Sequence, residues 1–495
     1  MIEVAPARIP EKIRCGDSTG WDLQMGRRAT GVPIQAAMCI RSKFVGILRS
    51  AVLAAVALMP LPLAAGLRSV AYYAAWNQWG HMPASAVGFS ALSHVIHFAV
   101  VPRSDGTLDS EINGVISTHS AEVVARAHAV GTKVLISVGG AGSAPGFRSA
   151  CAPDKLESFI HNIVAFMSSR GYDGVDLDWE PLVASDAAQF ASLVNGLRPA
   201  LDAISPRPLL TAAVASEPAL LAGLQQHFDQ IHLMTYDLAG PWPGWVTWFN
   251  APIQDGGYRF PSTGGSVPCA EGMLNTFLNA GVDARKLAIG IDFYGRVWNG
   301  GAGTSTGGVS LPRQTWTTAP TMSYQAYHQI MTNHYLPERH FWDKDAQAAY
   351  LSINQAGSAD DKFISYDDPT ACLAKVRYSS QHGLGGVMIY ELGGGFRPDQ
   401  PAGQREPLLQ AVNEAVRKTF VITGIQRSES EVRITFSSAI GQRYRLECSS
   451  DMITGSWQTV TTVTATDLAT ELTDPVGAAH SLRFYRVAEI RGTTP

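Results

Sequence analysis

Cysteine is scarce in this chain, with 6 among 495 residues, and the separations of Cys151, Cys269, Cys372 and Cys448 match neither a zinc pattern nor a redox pair. Disulfides and buried thiols are equally open. Charge is sparse too, at 16% Asp, Glu, Lys and Arg with a formal net charge of −4, and nothing suggests a nucleic-acid surface. The apolar run Ala51 to Leu58 is too short for a comfortable membrane span and is followed by Pro60 and Pro62, which argues against stable membrane association. What remains is 46% hydrophobic, ordinary for a folded soluble protein and long enough for one large domain with a smaller companion.

Residues 1 to 66 stand apart. Arg41, Lys43 and Arg49 precede the apolar run, and small residues follow at Ala64, Ala65 and Gly66. Basic, apolar, then small is the order of a secretory signal, so a secreted product, extracellular or periplasmic, is expected. A signal this far inside the chain is explained most simply if translation starts later, at Met38, so that residues 1 to 37 do not belong to the natural product. N-terminal sequencing of exported material that found those residues would refute this.

From Arg68 onward, short β-branched and apolar runs alternate with longer helical patterns, the order of a parallel sheet with crossover helices. Eight strands are expected: Val70 to Ala75, His94 to Val100, Lys133 to Val138, Gly174 to Trp179, Leu209 to Val214, Gln230 to Thr235, Lys286 to Ile291 and Gly386 to Glu391. This is the pattern of an α/β (β/α)8 TIM barrel, in which chemistry gathers at the carboxyl ends of strands. The long connection from Tyr294 to Phe363 exceeds what a βα loop needs and implies an α+β insertion, at about 297 to 362, between strands 7 and 8. Beyond Lys418 the pattern becomes alternating, as at Val432, Ile434 and Phe436. The expected domains are therefore an extension at 1–66, the barrel at 67–418 and a small all-β, antiparallel domain at 419–495. In that last domain Trp457 is read as core in preference to a sugar platform.

The run from Asp173 to Glu180 is the most informative stretch. As a strand it points Asp176, Asp178 and Glu180 one way and Val175, Leu177 and Trp179 the other. Three mutually repelling carboxyls on one face have no structural benefit, and burial with like charge raises carboxyl pKa values, which is how a general acid is made. The run lacks the glycine and ligand spacing of a calcium loop. No metal or organic cofactor is implied.

The spacing DxxDxDxE resembles the signature of glycoside hydrolase family 18, the chitinase family. Other segments resemble it in the same order: Val70-Ala71-Tyr72-Tyr73, His97-Phe98-Ala99, the SxGG motif Ser137 to Gly140, the MxYD motif Met234 to Asp237, and Gly290 to Arg296. The resemblance implies that Glu180 is the proton donor and that the 2-acetamido carbonyl of the sugar is the nucleophile. Asp178 would orient the acetamide and share a proton with Asp176, Tyr236 would donate to the acetamido oxygen, and Asp237 would hold the sugar. Asp173 is expected to be structural. Substrate contacts are expected from Tyr72, Trp76, Phe98, Met234, Trp242, Arg296 and Tyr390, with Trp245, Trp248 and Trp298 as further members of an aromatic cleft.

Two positions depart from the family pattern. Tyr390 stands where Trp is common on the eighth strand, and Asp292 where Pro is common on the seventh. The resemblance implies a monomeric, secreted chitinase binding chitin or another N-acetylglucosamine-containing glycan. An endo-β-N-acetylglucosaminidase, a peptidoglycan hydrolase, or an inactive chitin-binding lectin are the alternatives.

Overall fold

The computed structural model describes residues 38–41, 67–355, 360–418, 422–428, 430–438, 443–450, 457–467, 469–475 and 482–490. Eight strands, β1 (Arg68–Ala74), β2 (His94–Pro102), β3 (Lys133–Gly140), β4 (Gly174–Trp179), β5 (Leu209–Val214), β6 (Gln230–Leu233), β7 (Leu287–Asp292) and β8 (Gly386–Tyr390), pair in parallel in chain order. β8 pairs with β1 and closes the barrel. The alternation read from the sequence separates two cores. Val175, Leu177 and Trp179 of β4 join the layer between strands and helices, where Trp179 stacks on Phe147 at 4.6 Å. Val70, Tyr72, Ile96, Phe98 and Met388 fill the barrel interior.

All eight strands lie where they are expected, with shifts at their ends. β6 stops at Leu233 rather than Thr235 because the Thr235 hydroxyl takes over the ladder: it accepts from Gly290 N at 2.8 Å and donates to Gly290 O at 3.2 Å. β7 stops at Asp292, and Tyr294 already belongs to the next sheet. That sheet has five antiparallel strands, Thr321–Ala326, Tyr294–Asn299, Lys362–Tyr366, Ala348–Ile353 and His340–Asp343 in spatial order, with the helix Tyr327–Asn333. It is the α+β insertion between β7 and β8, and the segment Gly290 to Arg296 is shared between barrel and insertion.

The C-terminal region forms two antiparallel sheets. One holds Ile422–Arg427, Val432–Ser437 and Ala469–Asp474, the other Arg443–Ser449, Gln458–Thr464 and Leu482–Ile490. Val432, Ile434, Phe436, Tyr444, Leu446 and Cys448 meet in a separate core, and Trp457 lies half-buried with Arg486 4.3 Å above its ring. Met38–Arg41 pairs along the edge of Leu482–Ile490; the rest of the expected secretion signal lies outside the described residues. Cys151, Cys269, Cys372 and Cys448 are buried free thiols. Among the described residues no helix is long and apolar enough to cross a membrane.

Candidate active site

The acidic side chains of β4 point into the barrel and emerge at its carboxyl end. Asp176 lies in register with Ser137 on β3 and Thr211 on β5, and both hydroxyls donate to it, Thr211 at 2.6 Å and Ser137 at 3.3 Å. Tyr72, from β1, donates at 2.8 Å, and Nδ1 of His232 on β6 stands 3.5 Å away. Asp176 is fully buried, a position that is costly for a carboxyl unless its lone pairs are occupied in this way. Asp173, at the opposite end of β4, accepts from Val134 N and His128 Nε2, each at 2.7 Å, and ties the strand's start to its neighbours, the structural part expected of it.

Asp178 is 3% exposed and its Oδ1 has no protein partner. Its carboxyl hydrogen-bonds that of Glu180. Burial, followed by the charges of Glu180 and Asp176, pushes Asp178 well above the usual carboxylate range. Glu180 is raised as well, chiefly by burial, while the bond from Asp178 works in the opposite direction. Both carboxyls are thus raised and act on each other directly, so they share a proton and titrate as a pair. Asp176 and Asp178 act on each other through charge.

Backbone contacts fix the pair. Ser143 Oγ donates to Asp178 O and accepts from Glu180 N, both at 3.2 Å, and Ala144 N donates to Glu180 O at 3.0 Å. Gly139 is opposite Asp178, at φ +127°, and a Cβ there would fall 1.9 Å from the Asp178 carbonyl oxygen. That overlap explains the first glycine of the SxGG motif. Gly139→Ala is expected to destabilise the fold by about 3 kcal/mol and to lower activity by moving Asp178; thermal unfolding beside wild type checks it.

Across the barrel mouth, Tyr236 is buried, and burial followed by the neighbouring Tyr390, Asp178, Glu180 and Asp237 holds its phenol protonated well above its ordinary range. Its ring lies against Gly290, where a Cβ would come within 2.7 Å. Asp237 adopts φ +59° and is exposed. It accepts from Tyr294 at 2.8 Å and from Arg296 Nη2 at 2.7 Å. Tyr390 is the hub of the floor, with ring centroids 5.7 Å from Tyr72 and Phe98, 5.9 Å from Tyr236 and 6.4 Å from Tyr294. Met234 packs half-buried against the same cluster.

Trp76, just after β1, is 45% exposed, and Trp242, on the loop after β6, is 48% exposed. Trp76 meets Phe98 edge-to-face at 5.8 Å, and Trp242 meets Trp245 at 4.5 Å. Trp248 and Trp298 are not cleft residues: both are fully buried in the core that the insertion shares with the loop after β6. Sequence reasoning missed Thr211, His232, Ser143, Tyr294 and Tyr324, the last exposed and 4.8 Å from the Tyr294 ring. Strand alternation alone would have placed Thr211 and His232 on the inner face beside Asp176. Among the described residues no group of three or more His, Cys, Asp or Glu is arranged to hold a metal ion.

A closed parallel barrel with carboxyls and aromatics gathered at its carboxyl mouth and an α+β wall beside it is the architecture of a glycoside hydrolase. Residues 68–395 match the family Glycosyl hydrolases family 18, and the chain belongs to that family. It is 31% identical over 338 residues to Chitinase A1 of Niallia circulans, covering 59% of this chain and 46% of that one. It is 30% identical over 282 residues to the class V chitinase of Arabidopsis thaliana, covering 53% and 69%. The catalytic domain 2 of the Ostrinia furnacalis Group II chitinase, solved as a mutant in complex with (NAG)5, superposes with TM-score 0.60 at 25% identity, covering 71% of this chain and 96% of that one. The chain spans less than half the length of the first curated relatives it matches.

Proposed function

We propose that the protein hydrolyses β-1,4-linked N-acetylglucosamine polymers or oligomers, with overall retention and with the substrate's own acetamide as nucleophile. The observation that carries this is the Asp178–Glu180 pair, two interacting carboxyls both pushed above their ordinary range, with Oδ1 of the buried Asp178 left without a protein partner. Retaining glycosidases ordinarily use a second carboxylate as nucleophile, and this family is an exception in which the substrate assists. Glu180 gives the proton it shares with Asp178 to the glycosidic oxygen as that bond breaks, leaving both carboxyls ionised, and the acetamido carbonyl oxygen bonds the anomeric carbon to form an oxazolinium ion. Asp178 accepts the acetamido N–H and stabilises the developing positive charge, while Tyr236 donates to the acetamido oxygen. Glu180, now a carboxylate, takes a proton from the water that reopens the ring.

Asp237 and Arg296 hold the sugar at the rim, and Tyr390, backed by the buried Tyr72 and Phe98, forms the face on which it stacks. The names of the relatives and the bound (NAG)5 of the structural neighbour support N-acetylglucosamine oligomers as the substrate class. The basic, apolar, small order of residues 41–66 supports export, and the protein would act as a monomer. Incubation with chitohexaose and with a high-mannose glycopeptide, with products identified by mass, tests the reading. Release of short N-acetylglucosamine oligomers is expected. Cleavage of the glycopeptide alone would replace it with an endo-β-N-acetylglucosaminidase, and binding without cleavage would replace it with a lectin.

A further inference from the structure

Asp292 is the last residue of β7, and it is fully buried. Its backbone N donates to Asp367 at 3.2 Å, its Oδ1 lies 3.5 Å from the fully buried Lys375, and its Oδ2 accepts from Asn250 Nδ2 at 2.6 Å. Lys375 also pairs with Asp367. Two carboxyls thus share one buried ammonium, and a buried ion cluster is by itself weak evidence for stability. The second acid therefore calls for another reason, and its contact with Asn250 supplies one.

Asn250 lies part-way along the long loop that follows Asp237 and runs to the helix Ala270–Asn279. Its backbone O accepts from Leu238 N at 3.0 Å, and its backbone N donates to Ser365 Oγ at 2.8 Å. Ser365 is the register partner of Arg296, which grips the Asp237 carboxylate together with Tyr294. A closed circuit results: β7 holds Asn250, Asn250 holds the backbone next to Asp237, and the strand leaving β7 holds the Asp237 side chain. Asp237 sits at φ +59°, a left-handed conformation uncommon outside glycine although aspartate tolerates it better than most residues.

We propose that Asp292 and Asn250 are positioning residues for Asp237, fixing from behind the carboxylate that faces the substrate at the rim of the cleft. The inference rests on the reading of the chain as an N-acetylglucosamine hydrolase in which Asp237 contacts the sugar. Asp292→Asn keeps the size of the side chain but presents an amide between two donors, Lys375 and Asn250. Asn250→Ser keeps the backbone carbonyl used by Leu238 and removes the bond to Asp292 together with a little buried volume.

The test is a double-mutant cycle on chitohexaose, with thermal midpoints recorded for every variant. Asp292→Asn and Asn250→Ser are each expected to lower kcat/KM about tenfold in the wild-type background and less than about twofold in the Asp237→Ala background, the non-additivity of residues acting through one group. Equal losses in both backgrounds, or a lowered midpoint with kcat/KM intact, would overturn the positioning role while leaving the hydrolase reading standing. Wild-type turnover in Asp237→Ala alone would remove the role of Asp237 and the proposal with it. Should Asp292→Asn fail to fold, Asn250→Ser decides the question by the same criteria.

Discussion

Glu180→Gln is expected to fold and to bind chitooligosaccharides as wild type does, while turnover falls about 10³-fold or more, within the range a positioned general acid contributes. The amide preserves the shape of the side chain and its backbone ties, since Ser143 and Ala144 contact only main-chain atoms of Glu180. What disappears is the proton. The amide of the variant can still hydrogen-bond the neighbouring Asp178 carboxyl, so the fold of the mouth has no cause to change. Isothermal titration with chitohexaose beside a reducing-sugar assay separates the two effects. Turnover within tenfold of wild type would remove Glu180 from the role of acid.

The second large effect is expected at Asp178, where Asp178→Ala should lower kcat/KM on the order of 10²–10³-fold by removing a preorganised acceptor from the developing charge, with a pH profile of known sign. The bond from Asp178 lowers the Glu180 pKa against the raising effect of burial. Deleting the donor takes away a contact that favours the Glu180 anion, so the Glu180 pKa rises and the acid form survives to higher pH. The alkaline limb of kcat/KM should then move upward in Asp178→Ala, while in Asp178→Asn, whose amide N–H still donates, it stays near the wild-type position although turnover is lost. Coincident alkaline limbs in Ala and wild type would show that the pair is not coupled as described. In wild type that limb should lie above the ordinary glutamate range, because Glu180 is net raised.

The barrel was legible because its strands announce themselves twice, by β-branched composition and by motifs at their ends. β4 and β5 match their expected limits residue for residue. The acidic face was legible for a simpler reason: period-2 alternation is a local property of the chain. Partners from other strands were not. Asp176 meets Tyr72 and His232 only through barrel closure, which places residues 104 positions apart in contact. The tryptophans show the limit from the other side. Trp76 and Trp248 both follow strand ends in the sequence, yet Trp76 faces solvent while Trp248 is sealed beneath Arg313, 5.3 Å from its ring. Which of two such indoles is covered depends on where the insertion folds back, and no short stretch of sequence records that. Asp292 and Tyr390, visible as departures, gain a meaning only from the contacts they make.

The core that holds Trp248 has a consequence for engineering. Ala239, Val246, Trp248, Phe249 and Val267 come from the loop after β6, whereas Trp298, Val309, Ala346, Ala348 and Phe363 come from the insertion, so the two segments interlock as halves of one hydrophobic body. The insertion is consequently not a cassette. Exchanging it for a homologous segment without its loop partner would strip the cover from Trp248 and Phe249 and loosen the stretch that begins at Asp237, so a chimaera built to reshape the cleft would have to carry both segments together.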